Sequence, residues 1–160
     1  MSLCYESIGM RRGKEKEAKG GEVMWAEGGE AMKTLDLVLK RKWFDMIASG
    51  EKTEEYRELK KYWVKRLLEP IDMFGRNYCK AEDFDNDPDD FWCEFIVPTD
   101  IRNGVIQFKD FDKVTFHLGY SKDRPSMTFA IKEIVIDEGK EEWGALPGEN
   151  YFIIKLGERL

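Results

Sequence analysis

Four charged side chains crowd behind one glycine: Lys52, Glu54, Glu55 and Arg57 all follow Gly50 within a few residues. A lysine, carboxylates and a guanidinium at this spacing allow two kinds of chemistry. On an exposed strand they form salt bridges contributing only about 0–1 kcal/mol each. Beside a concave surface they form a polar site. Lys52 would then orient a carbonyl or phosphate oxygen, and Glu55 would act as a base or accept hydrogen bonds from a nucleobase amine. Arg57 suits bidentate contact with phosphate, or with the carboxylate that positions Lys52. Spacing alone leaves both readings open.

Three further residues are candidates to line such a site. His117, the single histidine, stands in Phe116-His117-Leu118-Gly119-Tyr120. Strand alternation sets it opposite Phe116 and Leu118, towards a cleft or solvent, and Gly119 would let a ligand approach the backbone beside Tyr120. Trp143 lies between acidic residues and a glycine in Gly139-Lys140-Glu141-Glu142-Trp143-Gly144-Ala145. It would either stack on a base or cap the open end of a barrel.

The acidic run from Glu82 to Asp90 invites a calcium reading, with Asp85, Asp87 and Asp89 at the first three ligand positions of an EF-hand. Asp90 then stands where the loop needs glycine, and Ile96 where it needs a bidentate glutamate. A solvated acidic loop fits better; a protein-interaction module over residues 82–98 is a further alternative. Cys4, Cys79 and Cys93 are odd in number and show no C-x-x-C spacing, which speaks against a disulfide framework or a zinc site. Neither a metal nor a cofactor is expected.

The elements that must position these residues are legible in outline. Thr34-Leu35-Asp36-Leu37-Val38-Leu39 alternates as a strand. Residues 42–49 place Trp43, Phe44 and Ile47 on one helix face, and Gly50 is the natural stop, since glycine enters the left-handed conformation without a Cβ penalty. Thr53 to Arg57 fits a short strand. Leu59, Trp63 and Leu67 mark a second helix over residues 59–68, with Pro70 beyond its end. Residues 71–104 read as an irregular, acidic surface insertion pinned by its aromatics. Strands follow: Val114, Phe116 and Leu118 share one face, as do Met127, Phe129 and Ile131. The apolar parity then slips to Ile134 and Ile136, which a bulge near Lys132-Glu133 would explain. Residues 140–150 form a loop, and Tyr151 to Leu156 a final strand.

These patterns describe an α+β chain: a small barrel or curved sheet of about five or six strands with flanking helices. Residues 1–31, charged and glycine-rich without a sustained period, read as a disordered or loosely ordered N-terminal extension. Met32 reads as the natural start of a single domain over 32–160. The 160 residues are 42% hydrophobic and 36% charged, which suits a soluble domain with a real core. No apolar run approaches the ~20 residues of a membrane span, and no signal-peptide pattern opens the chain, so a cytoplasmic location is expected. The net charge of −6 argues against a strong non-specific nucleic-acid binder but not against a small basic pocket.

The run from Trp43 to Arg57 resembles the signature of the ASCH domain family, a helix followed by G-x-K-x-x-E-x-R, with Gly50, Lys52, Glu55 and Arg57 on the pattern. Phe116-His117-Leu118-Gly119-Tyr120, Met127-Thr128-Phe129 and Glu142-Trp143-Gly144 resemble a phage and bacterial branch of that family. The resemblance spans roughly Met32 to Leu160. It implies a PUA-like β-barrel with a helix-flanked cleft that binds RNA or a modified nucleoside. One branch of the family is an amidohydrolase on acetylated cytidine, using a lysine, a threonine three residues later and a distant glutamate. Lys52 matches the lysine, but Glu55 occupies the threonine position, and Thr53 is at the wrong offset. The expectation is therefore RNA or nucleotide binding by Lys52, Glu55 and Arg57, lined by His117, Tyr120 and Trp143. The alternative is a small hydrolase, an amidohydrolase or ribonuclease, with Lys52 and Glu55 catalytic. In the binding reading, alanine at Lys52 or Arg57 is expected to weaken binding with little loss of thermal stability.

Overall fold

Alternating burial builds the first strand. In β1 (Thr34–Leu39), Leu35, Leu37 and Leu39 are buried while Asp36 faces solvent. The computed structural model describes residues 31–78, 86 and 90–160. The expected N-terminal extension and most of the acidic run, with Cys4 and Cys79, lie outside the described residues.

Four more strands follow: β2 (Glu54–Glu58), β3 (Lys113–Leu118), β4 (Ser126–Glu138) and β5 (Asn150–Arg159). They form one curled, half-barrel sheet in the order β1-β3-β4-β5-β2. β1 runs parallel to β3; the other pairs are antiparallel. β1 and β2 are thus the two edges of the sheet, and the seam between them is not closed by strand pairing.

The curl has an identifiable cause in the β4–β5 register. Phe129 pairs with Arg159, Ile131 with Leu156 and Glu133 with Lys155, so the register shifts one way and then back. The second shift places the extra residue on β4 at Lys132, where the apolar parity slips, and bulges of this kind bend and twist a strand. The first shift places one on β5 beside Gly157, where a Cβ would stand 3.3 Å from both the Cβ and the carbonyl oxygen of Ala130.

Among the described residues three α-helices accompany the sheet: α1 (Arg41–Ala48), α2 (Lys61–Leu67) and α3 (Val97–Arg102). Gly50 has φ +82°, the left-handed stop expected after α1. Of the expected stripe, Leu59 and Leu67 are buried and Trp63 packs partly buried against the same core, which Val64 of α2 also enters. Among the described residues no helix is long and apolar enough to cross a membrane.

The segment 71–104 is not irregular throughout, although most of its described residues lie at the surface. Its second half is helical, with a π-helical turn over Trp92–Ile96 leading into α3. Cys93 and Val97, one turn apart, are fully buried, and Ile101 packs against them on the same stripe. A run that is apolar but for Glu94 hid this period, and Pro98 stands in the first turn of α3, where proline is tolerated.

The main core collects the inward faces of β1, β3, β4 and β5 with Phe44, Ile47, Val64, Leu67, Tyr78 and Ile106. β5 is buried on both faces: Phe152, Ile154 and Leu156 enter this core, while Tyr151 and Ile153 join Tyr56, Trp143 and Ala145 in a satellite cluster.

Candidate functional site

The turn after α1 folds back on the helix. The Gly50 amide bonds Ile47 O at 3.1 Å, and the Lys52 amide bonds Met46 O at 3.0 Å. That second bond ties Lys52 beneath α1, where its ammonium lies 4.5 Å from the Trp43 ring centre and 5.2 Å from that of Tyr56. β2 then pairs with β5, with Glu55 opposite Ile154 and Tyr56 opposite Ile153. Period 2 sorts these neighbours: Glu55 and Arg57 share the face that looks into the half-barrel, and Tyr56 turns into the satellite cluster.

The three expected charges are brought together. Lys52 Nζ donates to Glu55 Oε2 at 2.8 Å, and Arg57 Nη1 donates to Glu55 Oε1. The Lys52 and Glu55 side chains are only 3% and 4% exposed and Arg57 is 14% exposed, so this is no solvated turn. A lone buried charge would be expensive, which is why each is held by the next. The aromatic faces add to this, since a desolvated cation–π contact contributes about 2 kcal/mol or more, against about 0.5–1 at an exposed site.

Arg57 also ties the two sheet edges. It bonds Tyr56 O at 2.9 Å and reaches Val38 O on β1 at 3.5 Å. Its Nε is buried without a hydrogen-bond partner among the described residues. The cleft at this seam, of about 440 Å³, is lined by Trp43, Lys52, Glu55, Arg57, Trp143 and Tyr151 among others. Lysine has three donors and Glu55 takes one, so the chain can offer a cation, a carboxylate and a guanidinium edge to a single polar group.

Trp143 lines this cleft, but as a buried cap, 7% exposed, at the end of a 3-10 turn over Glu141–Trp143. Of its two expected roles, that of a freely exposed stacking platform is therefore replaced by packing in the satellite cluster. Tyr56 anchors the same loop, accepting from the Lys140 amide at 3.1 Å and donating to Glu54 at 2.9 Å. Burial, opposed by the Lys140 amide and reinforced by Glu54, pushes the Tyr56 phenol well above its ordinary pKa. It remains a neutral donor.

His117 does not line the seam cleft; it sits on the outer face of β3, with Nε2 2.9 Å from Asp36 Oδ1 on β1. Tyr120 is 86% exposed and lines an adjoining groove instead. Trp43, Tyr56 and Tyr151 also line the cleft, where sequence reasoning gave them no site role; for Trp43 the signal was its place on the helix that immediately precedes the charged run. Among the described residues no group of three or more His, Cys, Asp or Glu side chains is placed to hold a metal ion.

Together these features define a curled α+β half-barrel with a buried lysine–glutamate–arginine chain at its open seam. The chain matches no family model, no curated protein and no solved structure.

Proposed function

We propose that this is an ASCH-like, PUA-like domain that binds RNA or a nucleotide-sized ligand in the seam cleft. The observation that carries the reading is the burial of Lys52 and Glu55 at an open cavity. A buried ion pair is weak support for stability, because replacing it with apolar side chains is often neutral or favourable. Its presence beside a cleft therefore favours a role in recognition. The positions of the family signature support the same reading: Gly50 takes its left-handed stop, and Lys52, Glu55 and Arg57 form one hydrogen-bonded chain. Glu55 would accept from a base amine, Lys52 would donate to a base carbonyl or ring nitrogen, and Arg57 would supply positive charge towards phosphate.

The test is titration of the intact chain with the four ribonucleoside monophosphates, an acylated cytidine and short single-stranded RNAs. Glu55→Gln and Arg57→Met, each shown to be folded by circular dichroism, are expected to lose at least about tenfold in affinity, the equivalent of one charged hydrogen bond. Unchanged affinity in both folded variants overturns the proposal. Conversion of the acylated nucleoside or cleavage of the RNA, lost in Lys52→Met, would favour the hydrolase alternative.

A further inference from the structure

A second cavity adjoins the first across Arg57. This groove, of about 490 Å³, shares Val38, Tyr56, Arg57 and Glu58 with the seam cleft, and its other walls include Asp36, Tyr62, Trp63, Arg66 and Tyr120. We propose that it is a second nucleotide subsite, so that the ligand is a single-stranded RNA of at least two nucleotides and not a free mononucleotide. The proposal rests on the reading that the seam cleft takes a base.

Two observations carry it. The first is an uncommitted positive charge. Both carboxylates of the groove have cationic or imidazole partners: Asp36 meets His117 at 2.9 Å, and Glu58 meets Lys60 at 2.7 Å. Arg66, by contrast, bonds only neutral oxygens among the described residues: the Tyr62 hydroxyl at 2.8 Å and the backbone carbonyl of Asp36. Those two bonds fix the guanidinium against the free edge of β1 and leave its charge for an anion. The second observation is exposed aromatic surface on two different elements. Tyr62 of α2 is 60% exposed and Tyr120, after β3, is 86% exposed.

The groove is also held in shape from beneath. The Tyr62 and Trp63 rings meet edge to face at 4.8 Å, and Arg66 lies 5.6 Å from the Trp63 ring centre. Arg57 covers the same indole at 5.0 Å, so one tryptophan sets both arginines. Single-stranded nucleic acids are bound by this combination of stacking faces and fixed cations, and the stacking tolerates any base. One base would enter the seam cleft, its neighbour would stack on Tyr62 or Tyr120, and the phosphate between them would lie at Arg66.

The experiment compares AMP with a series of oligoadenylates and an RNA duplex, in the wild-type chain and in Tyr62→Ala, Tyr120→Ala and Arg66→Met. Wild-type affinity is expected to rise at least about tenfold from AMP to the dinucleotide or trinucleotide, the lower range of one base stack on an aromatic ring. The duplex, whose bases are already stacked, should gain nothing comparable. The tyrosine variants are expected to lose that gain and keep AMP binding, and Arg66→Met to lose part of it. An oligonucleotide that binds no better than AMP overturns the subsite and leaves the seam reading standing. Equal losses for AMP and oligonucleotide in the tyrosine variants also overturn it. Failure of every nucleotide to bind removes the seam reading, and the subsite with it.

Discussion

Glu55 is the residue on which the site turns. It receives Lys52 on one oxygen and Arg57 on the other, with almost no contact with water. It stands where the hydrolase branch of the resembled family has threonine, and the alternative is a hydrolase that uses Lys52 with Glu55; the proposal of recognition rests on the two ammonium donors that Glu55 leaves over. Burial also revises the energetic expectation. Alanine at Lys52 was expected to be nearly neutral for stability, as it would be for an exposed pair. With both groups buried, Lys52→Met leaves Glu55 with Arg57 alone, and breaking a buried pair costs about 3–5 kcal/mol. Urea denaturation should show a loss of that order. The triple variant Lys52→Met, Glu55→Leu and Arg57→Met should recover most of it, because no buried charge is then left without its partner. A single variant as stable as the wild type would mean that the pair is solvated.

At the scale of elements, the loop after β4 matters as much as the strand that carries Glu55. Gly144 closes the 3-10 turn at φ +97°, and a Cβ there would stand 2.7 Å from Trp43 Cζ2. The same indole covers Lys52. Gly144→Ala therefore combines a left-handed backbone penalty of about 1–2 kcal/mol with overpacking of about 1–3 kcal/mol. A lowered melting temperature is expected, together with a change in tryptophan fluorescence as Trp43 moves off the ammonium. An unchanged spectrum would show that Trp43 does not depend on this turn. Much of this level was legible in the chain: the Gly50 stop, the outline of both early helices and the bulge at Lys132 all leave local marks. The helix through Cys93 and Val97 did not, because its apolar residues run together and the period is lost among them.

For the whole molecule, the decisive feature is a sheet that curls without closing. Two arginines bond the carbonyls of β1 at its free edge: Arg57 takes Val38 O and Arg66 takes Asp36 O. Both guanidinium groups thus sit at one seam, beside the carboxylates Asp36, Glu55 and Glu58, in a chain with net charge −6. Local attraction and overall repulsion make a distinct salt signature. Binding of a short single-stranded RNA should weaken only gently with salt, with a log–log slope of about −0.7 for each phosphate neutralised, or about −1.4 if both arginines take part. A slope several times steeper would indicate an extended basic surface and contradict a confined site. Arg66→Met should make the slope shallower by about one phosphate's share.

The sequence by itself determined the strand alternation, the stop at Gly50, the order Lys52, Glu55, Arg57 and the parity slip at Lys132. These are local properties, set by side-chain periods of two or about four residues and by backbone preferences at single positions. It did not determine that Lys52 is buried, that Trp43 covers it, that Trp143 packs as a cap, or that Tyr120 belongs to a neighbouring groove while His117 faces away. Those facts follow from β2 pairing with the last strand, β5, and from β1 pairing with β3, which leave β1 and β2 facing across an unpaired seam. Burial and facing depend on segments far apart in the chain, and no local period records them. Only the tertiary structure could turn a cluster of charges behind a glycine into a buried chain at the mouth of a cleft.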